Sequence, residues 1–426
     1  MKLIEKIVRA SFPLLLAGRA GRRLPGRISR LLGREFLLAL KKVNREQLEA
    51  CEERGSAKIS AYPGFITVAG TSRCNLRCEF CINQWDAAPD GSNRPHMDRR
   101  YVERIVNELF PYIDKIALSV SGEPLVDPHF LYLLEQSRKF GIFVEITTNA
   151  MLVSRPGFLD AILDSVGRVN ISMDAATKET YERLRRGARF DKVCNNIRAM
   201  SEGRRARERN TPEFNIRCIL MRDSIDELPQ LVDLAKDMGV DHLFTNHIQV
   251  FMNDLADQSL IFHRERANQA FAAARERAKA LEMVVVLPED FDLSEPAPIR
   301  PETSPSPTEE HAASGADSKQ GNRPKAIPPS AYENRCPYLW EQSFLEADGS
   351  VFPCCNAGNV AMGHLDKSPD FFTIWNGPAY MKMRETVYTP NCHNICVNCY
   401  LREDTRPSSA FVRPVEGAEK GGWQRK

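Results

Sequence analysis

From about residue 63 onward, short apolar runs alternate with longer amphipathic ones. Runs of strand character occupy 65–69, 115–120, 143–147, 169–173, 215–221 and 242–246. Helical patterns lie between them, at 99–110, 128–140, 157–165, 191–203 and 225–239. This alternation predicts an α/β fold, a parallel sheet with crossover helices. Six such units can curl into a partial barrel, and a full eight-unit barrel is the alternative. In either, chemistry belongs at the C-terminal ends of the strands. A further helical pattern covers 264–281, and 283–287 is a short apolar run.

The flanking segments read differently. Residues 1–42 hold eleven Lys and Arg against Glu5 and Glu35, and Leu3, Ile4, Ile7 and Val8 recur at helical spacing, as do Leu24, Ile28, Leu31 and Leu32. This predicts a basic amphipathic helical segment over residues 1–60. It either packs on the following domain or lies on an anionic membrane surface. Residues 293–332 are rich in Pro, Ser, Glu and Gly and poor in large apolar residues, which predicts a disordered linker. The linker divides a domain over 61–292 from a Cys-rich α+β unit over 333–403, and 404–426 reads as a flexible tail.

Composition narrows the classes. Lys+Arg 58 against Asp+Glu 56 leaves no global electrostatic footprint for nucleic acid, and none is expected as a partner. No apolar run approaches the ~20 residues that span a bilayer. Most of the 12 cysteines fall in two groups of metal-ligand spacing, which points to a reducing, cytoplasmic setting.

The first group is Cys74, Cys78 and Cys81, spaced C-x3-C-x2-C, with Phe80 before the last cysteine. Three thiolates on one loop can hold three irons of a [4Fe–4S] cluster and leave the fourth open. A closed zinc site would want a fourth ligand nearby, and the next His is His96. The second group is Cys336, Cys354, Cys355, Cys392, Cys396 and Cys399. Asp348-Gly349 signals a hairpin that brings Cys354 back towards Cys336, and Cys396-x2-Cys399 forms a close pair. Cys336, Cys354, Cys396 and Cys399 can close a four-ligand [4Fe–4S] site. Cys355 is the alternative to Cys354, and zinc the alternative metal.

The cysteine loop, followed by Ser121-Gly-Glu-Pro124, Thr147-Thr-Asn149 and the stretch from Ser172 to Gly187, resembles the ordered motifs of radical S-adenosylmethionine (SAM) enzymes. The second cysteine group resembles the SPASM/Twitch extension of that superfamily. The resemblance covers residues 60–290 and 333–403. It implies a partial (β/α)6 barrel with a small auxiliary-cluster domain. It also implies a radical SAM oxidoreductase or epimerase type of enzyme, with a SAM-binding [4Fe–4S] cluster, an auxiliary [4Fe–4S] cluster and SAM. Gly122 and Glu123 would receive the methionine amino group. Ser172 would meet the ribose or methionine part, Arg185 or Arg186 the SAM carboxylate, and Asn149 would line the pocket. Asp174 either joins them or caps the following helix. Full SPASM domains hold two clusters and use a C-x2-C-x5-C-x3-C run, which is absent, so one auxiliary cluster is expected. Asn246, His247 and Gln249 follow the sixth strand and can line the substrate cavity. Expected partners are a small-molecule or peptide substrate, a reductant such as flavodoxin or ferredoxin, and peripheral membrane contact through residues 1–42 at the inner surface. A short, basic N-terminus is a poor leader-peptide binder, which favours a sugar-like or lipid-linked substrate over a peptide.

Overall fold

The computed structural model describes residues 2–16, 19–82, 94–119, 121–250, 253–294, 336, 338–357, 360–389, 391–397, 399 and 412–414, with the side chains of 2, 19–32, 253–254, 356, 397 and 412–414 outside that description. Most of the expected linker, and the expected tail except 412–414, lie outside the described residues.

The chain opens with α1 (Lys2–Leu16) and α2 (Arg19–Glu53), the latter bent at Gly33, where φ is 75°. There follow β1 (Phe65–Val68), β2 (Arg77–Cys78), α3 (Arg99–Glu108), β3 (Lys115–Leu118), α4 (Phe130–Phe140) and β4 (Phe143–Thr148). Next come α5 (Phe158–Ser165), β5 (Arg168–Ser172), α6 (Lys178–Leu184), β6 (Arg185–Arg186), α7 (Phe190–Ala206) and β7 (Glu213–Leu220). This part closes with α8 (Leu228–Asp237), β8 (His242–His247), α9 (Arg264–Ala280) and β9 (Val284–Pro288). The C-terminal part comprises α10 (Tyr338–Glu341), β10 (Gln342–Leu345), β11 (Ser350–Phe352), β12 (Gly363–His364), α11 (Phe371–Trp375), α12 (Pro378–Thr386), α13 (Asn394–Val397) and β13 (Val412–Pro414).

One sheet runs β12-β11-β10-β1-β3-β4-β5-β7-β8-β9-β13, and its centre from β1 to β9 is parallel throughout. The order is linear, with β12 at one edge and β13 at the other, so the eight-unit closed barrel is not the fold. The short apolar run near 285 forms β9 and extends the sheet past the six expected strands. The other extension is long-range: β10 pairs parallel with β1, Phe65 opposite Gln342 and Val68 opposite Leu345. The Cys-rich unit thus continues the central sheet.

Local signals set the helix ends. Asp98 caps α3 by accepting from the Arg100 N–H at 2.9 Å, and Gly141, with φ 61°, ends α4 in the left-handed conformation. The hydrophobic core joins all three parts of the chain. Phe12 of α1 meets Tyr112 edge-on at 6.4 Å, Tyr112 stacks on Tyr62 at 4.1 Å, and Tyr62 meets Phe372 of α11 at 5.0 Å. Lys41 of α2 donates to the Ile113 carbonyl at 2.6 Å. The N-terminal helices therefore sit at the strand N-terminal ends, opposite the site described next. Among the described residues, no helix is long and apolar enough to cross a membrane.

Candidate functional site

The loop after β1 carries Cys74, Cys78 and Cys81, and all three line one cavity of about 270 Å³ at the C-terminal ends of the strands. Leu76, Ser119, Ser121, Gly122, Glu123, Thr147, Thr148, Asn149, Ser172 and Arg185 complete its wall. Backbone contacts hold the loop in place. β2 pairs antiparallel with β6, so Cys78 lies opposite Arg185. The Glu123 N–H donates to the Arg73 carbonyl at 2.9 Å. Gly122 permits this approach: a Cβ there would stand 2.5 Å from the carbonyl oxygens of both Thr71 and Arg73.

The expected SAM-contact residues divide into two sets. Gly122, Glu123, Asn149, Ser172 and Arg185 line the cavity. Asp174 and Arg186 do not. Arg186 is exposed and pairs with Glu79. Asp174 is buried behind the wall, where it accepts from Arg185 Nε at 2.6 Å and the Ile219 N–H at 2.8 Å. It does not cap α6; Thr177 does, accepting from the Thr180 N–H. The two adjacent arginines thus point to opposite sides, and Arg185 is the one turned towards the cysteines.

Glu123 is buried, and three donors already meet its carboxylate: the Thr148 hydroxyl at 2.6 Å, the Asn149 N–H at 2.8 Å and the Leu125 N–H at 3.2 Å. Burial nevertheless raises its pKa to about 7. Asn149 Nδ2 donates to Asn75 Oδ1 at 2.9 Å and stands 3.9 Å from Cys74 Sγ. Ala150, the next residue, has φ 57°, and its carbonyl accepts from Asn196 Nδ2 at 2.7 Å. Burial pushes the Cys74 thiol up to about 12. It also raises Cys78, which the nearby Arg185 guanidinium partly offsets. Iron at these sulfurs would supply the charge that favours thiolate.

The second thiol group also assembles. Cys336, Cys354, Cys396 and Cys399 line one small cavity with Tyr338, Leu339, Pro353, Met383, Val387 and Ile395. Cys355 is exposed at the start of a short 3-10 turn and lies outside that wall. Cys392 lies beside Cys396, and their thiol–thiol hydrogen bond raises the Cys396 pKa.

Other placements did not follow from the sequence. Ser121, on the first cavity, donates to Glu346, which leads into the β10–β11 turn, so the C-terminal part reaches the cavity rim. Thr148 orients Glu123. Strand alternation marks Ser119, Thr147 and Ser172 as sharing a face, but no local signal places Glu346 there. His247 packs against Phe271 and Phe291, away from the cavity, and burial lowers its pKa to about 4.

A parallel sheet with three thiols around a cavity at its strand ends, and a second set of four around another, is the arrangement that an iron–sulfur protein of the partial-barrel kind would need. The Radical SAM superfamily model matches residues 68–235, and the SPASM iron-sulfur cluster-binding domain model matches 336–400. The chain belongs to the radical SAM superfamily and carries a C-terminal SPASM domain. By these family models it is an enzyme whose cofactors are [4Fe–4S] clusters and SAM.

Among sequence relatives, a tungsten-containing aldehyde ferredoxin oxidoreductase cofactor-modifying protein of Pyrococcus furiosus is 26% identical, covering 42% of this chain and 49% of its own. A GTP 3′,8-cyclase of Hydrogenovibrio crunogenus is also 26% identical, covering 42% of this chain and 53% of its own. The match thus spans about half the length of these relatives. Streptococcus suis SuiB bound to S-adenosylmethionine shares the fold with a TM-score of 0.53 at 14% identity, over 84% of this chain and 76% of that one. SuiB bound to precursor peptide SuiA gives 0.52 at 15% identity, over 84% and 77%.

Proposed function

We propose that this enzyme reductively cleaves SAM at the Cys74–Cys78–Cys81 cluster and abstracts hydrogen from a small, polar, sugar-like or lipid-linked substrate. An auxiliary cluster on Cys336, Cys354, Cys396 and Cys399 assists oxidation or positioning. The observation that carries this reading is the meeting of the three thiols with Gly122, Glu123, Asn149, Ser172 and Arg185 around one cavity.

The bound cluster and SAM supply the 5′-deoxyadenosyl radical, and the chain supplies position and seclusion from water. Glu123, held by Thr148, Asn149 and Leu125, offers a fixed acceptor for the methionine ammonium. Arg185, held by Asp174, offers a cation for the carboxylate. Ser172 offers a hydroxyl on the same cavity, and Asn149 steadies the loop through Asn75. An electron arrives from a reductant such as flavodoxin or ferredoxin. The enzyme works in the cytoplasm, held peripherally at the inner membrane surface by its first helices.

The small-molecule reading is supported by the sheet face beneath the cavity. Lys115, Glu145, Asn170 and Arg217 share the strand face of Ser119, Thr147 and Ser172 or its register neighbour, and they bond to one another. Such a polar sheet face behind the cavity wall suits a polar substrate. The GTP 3′,8-cyclase relatives are also named for action on a small molecule. A peptide substrate is the second reading, favoured by the likeness to SuiB.

The test is SAM cleavage by the anaerobically reconstituted protein with dithionite, with methionine and 5′-deoxyadenosine as products. Cys78→Ala should abolish cleavage, and Glu123→Ala should weaken SAM binding while iron stays bound. Unchanged cleavage in Cys78→Ala would refute the site. Product analysis against panels of polar metabolites and peptides separates the two substrate readings.

A further inference from the structure

We propose that the outward face of α1 docks on an anionic phospholipid bilayer. This rests on the peripheral placement given above and is independent of the reaction.

The inner face of α1 is fixed in the core: Val8 is fully buried, and Phe12 packs on Tyr112. The outer face carries Leu3, Ile7 and Leu14, which are 70%, 58% and 73% exposed. At about 100° per residue these three fall within about 40° of one another, so they form a single ridge. Single exposed leucines are ordinary, but an aligned ridge on a helix held rigidly from behind is a contact surface.

Charge identifies the occupant. Residues 1–42 carry eleven cationic and two anionic side chains, a net +9, whereas the whole chain is +2, leaving −7 for the remainder. Arg9 pairs with Glu5 and Glu46, and Lys42 with Glu5, on the side of α1 turned towards α2; by sequence, six of the eleven cationic residues fall between Arg19 and Arg34. A second copy of this chain would bring two such segments together and be repelled. An anionic headgroup layer over an acyl interior matches both the charge and the ridge. Because α1 sits at the N-terminal ends of β1 and β3, docking leaves the cavity mouth on the aqueous side. That favours the sugar-like substrate over the lipid-linked one.

The experiment is co-sedimentation of the full, reconstituted chain with phosphatidylcholine vesicles, with and without phosphatidylglycerol, at low and high salt. It compares wild type with Ile7→Ser/Leu14→Ser, which alters exposed positions and no charge. SAM cleavage in both proteins verifies the fold. The expected result is binding that needs phosphatidylglycerol, weakens with salt and falls at least tenfold in the variant. No binding by wild type overturns both the peripheral placement and the surface. Equal binding by the variant overturns the ridge alone and leaves the placement to the basic segment. Concentration-dependent self-association of wild type, lost in the variant and without vesicle binding, would make the occupant a second copy and overturn the proposal.

Discussion

Arg185 donates from Nε to Asp174 Oδ2 at 2.6 Å in an ion pair buried on both sides, and its Nη1 lies 3.7 Å from Cys78 Sγ. The guanidinium face stands 5.4 Å from the centre of the Phe80 ring. One contact set thus connects the end of β5 to the cysteine loop, and Asp174 extends it to β7 through the Ile219 N–H. Removing one member of a buried pair leaves the other charged and unsatisfied. Asp174→Ala should therefore destabilise the fold by about 3–5 kcal/mol. Asp174→Asn keeps an acceptor for Ile219 and should cost less. Urea unfolding midpoints check this, and an unchanged midpoint in Asp174→Ala would show that the pair contributes nothing.

Gly122→Ala tests the packing of the two loops. The new methyl would meet two backbone carbonyls, which cannot rotate aside as a flexible side chain can. The cysteine loop must shift while the C-terminal thiol group stays in place. Iron should fall from about eight per chain to about four, the loss expected for Cys74, Cys78 and Cys81 replaced together by Ala. Retention of all the iron would mean that the loop accommodates the methyl.

For the auxiliary site, placement separates neighbouring cysteines. Cys354 lines the cavity, whereas Cys355 is exposed. Cys355→Ala should keep about eight irons, and Cys354→Ala should lose about half. Cys392→Ala should keep the iron if Cys396 alone is the ligand. A wild type holding only about four irons would overturn the auxiliary assignment.

Much of this arrangement was legible because it is local. The strand runs, the cysteine spacing and the turn at Asp348-Gly349 are each set by residues a few positions apart. The pairing of β1 with β10 joins residues more than 270 positions apart, and a parallel pair carries no turn signal to announce it. The choice between Arg185 and Arg186 was equally hidden. It depends on the short β2–β6 ribbon, two residues long on each side, which has no periodicity to read. Asp174 was ambiguous because an acid after a strand suits a cap and a pocket alike. Its buried pairing with Arg185, which lines the wall, decides its role.

Lys41 provides a pH test of how the N-terminal helices dock. It is buried, its ammonium donates to the Ile113 carbonyl, and desolvation lowers its pKa from 10.5 to about 8. Below pH 8 both folded and unfolded chains hold the proton, and the full cost of burying the charge is present. Between about 8 and 10.5 the unfolded chain binds the extra proton, so stability gains a rising contribution with pH. Above 10.5 both forms are neutral and the cost is gone. The gap corresponds to on the order of 3 kcal/mol. Lys41→Met has no proton to lose there, so wild type should gain stability on the variant across this window by that amount. Urea unfolding of both proteins at intervals of pH measures the difference. Parallel curves would mean that Lys41 keeps its ordinary pKa and that the α2–Ile113 contact is open to water.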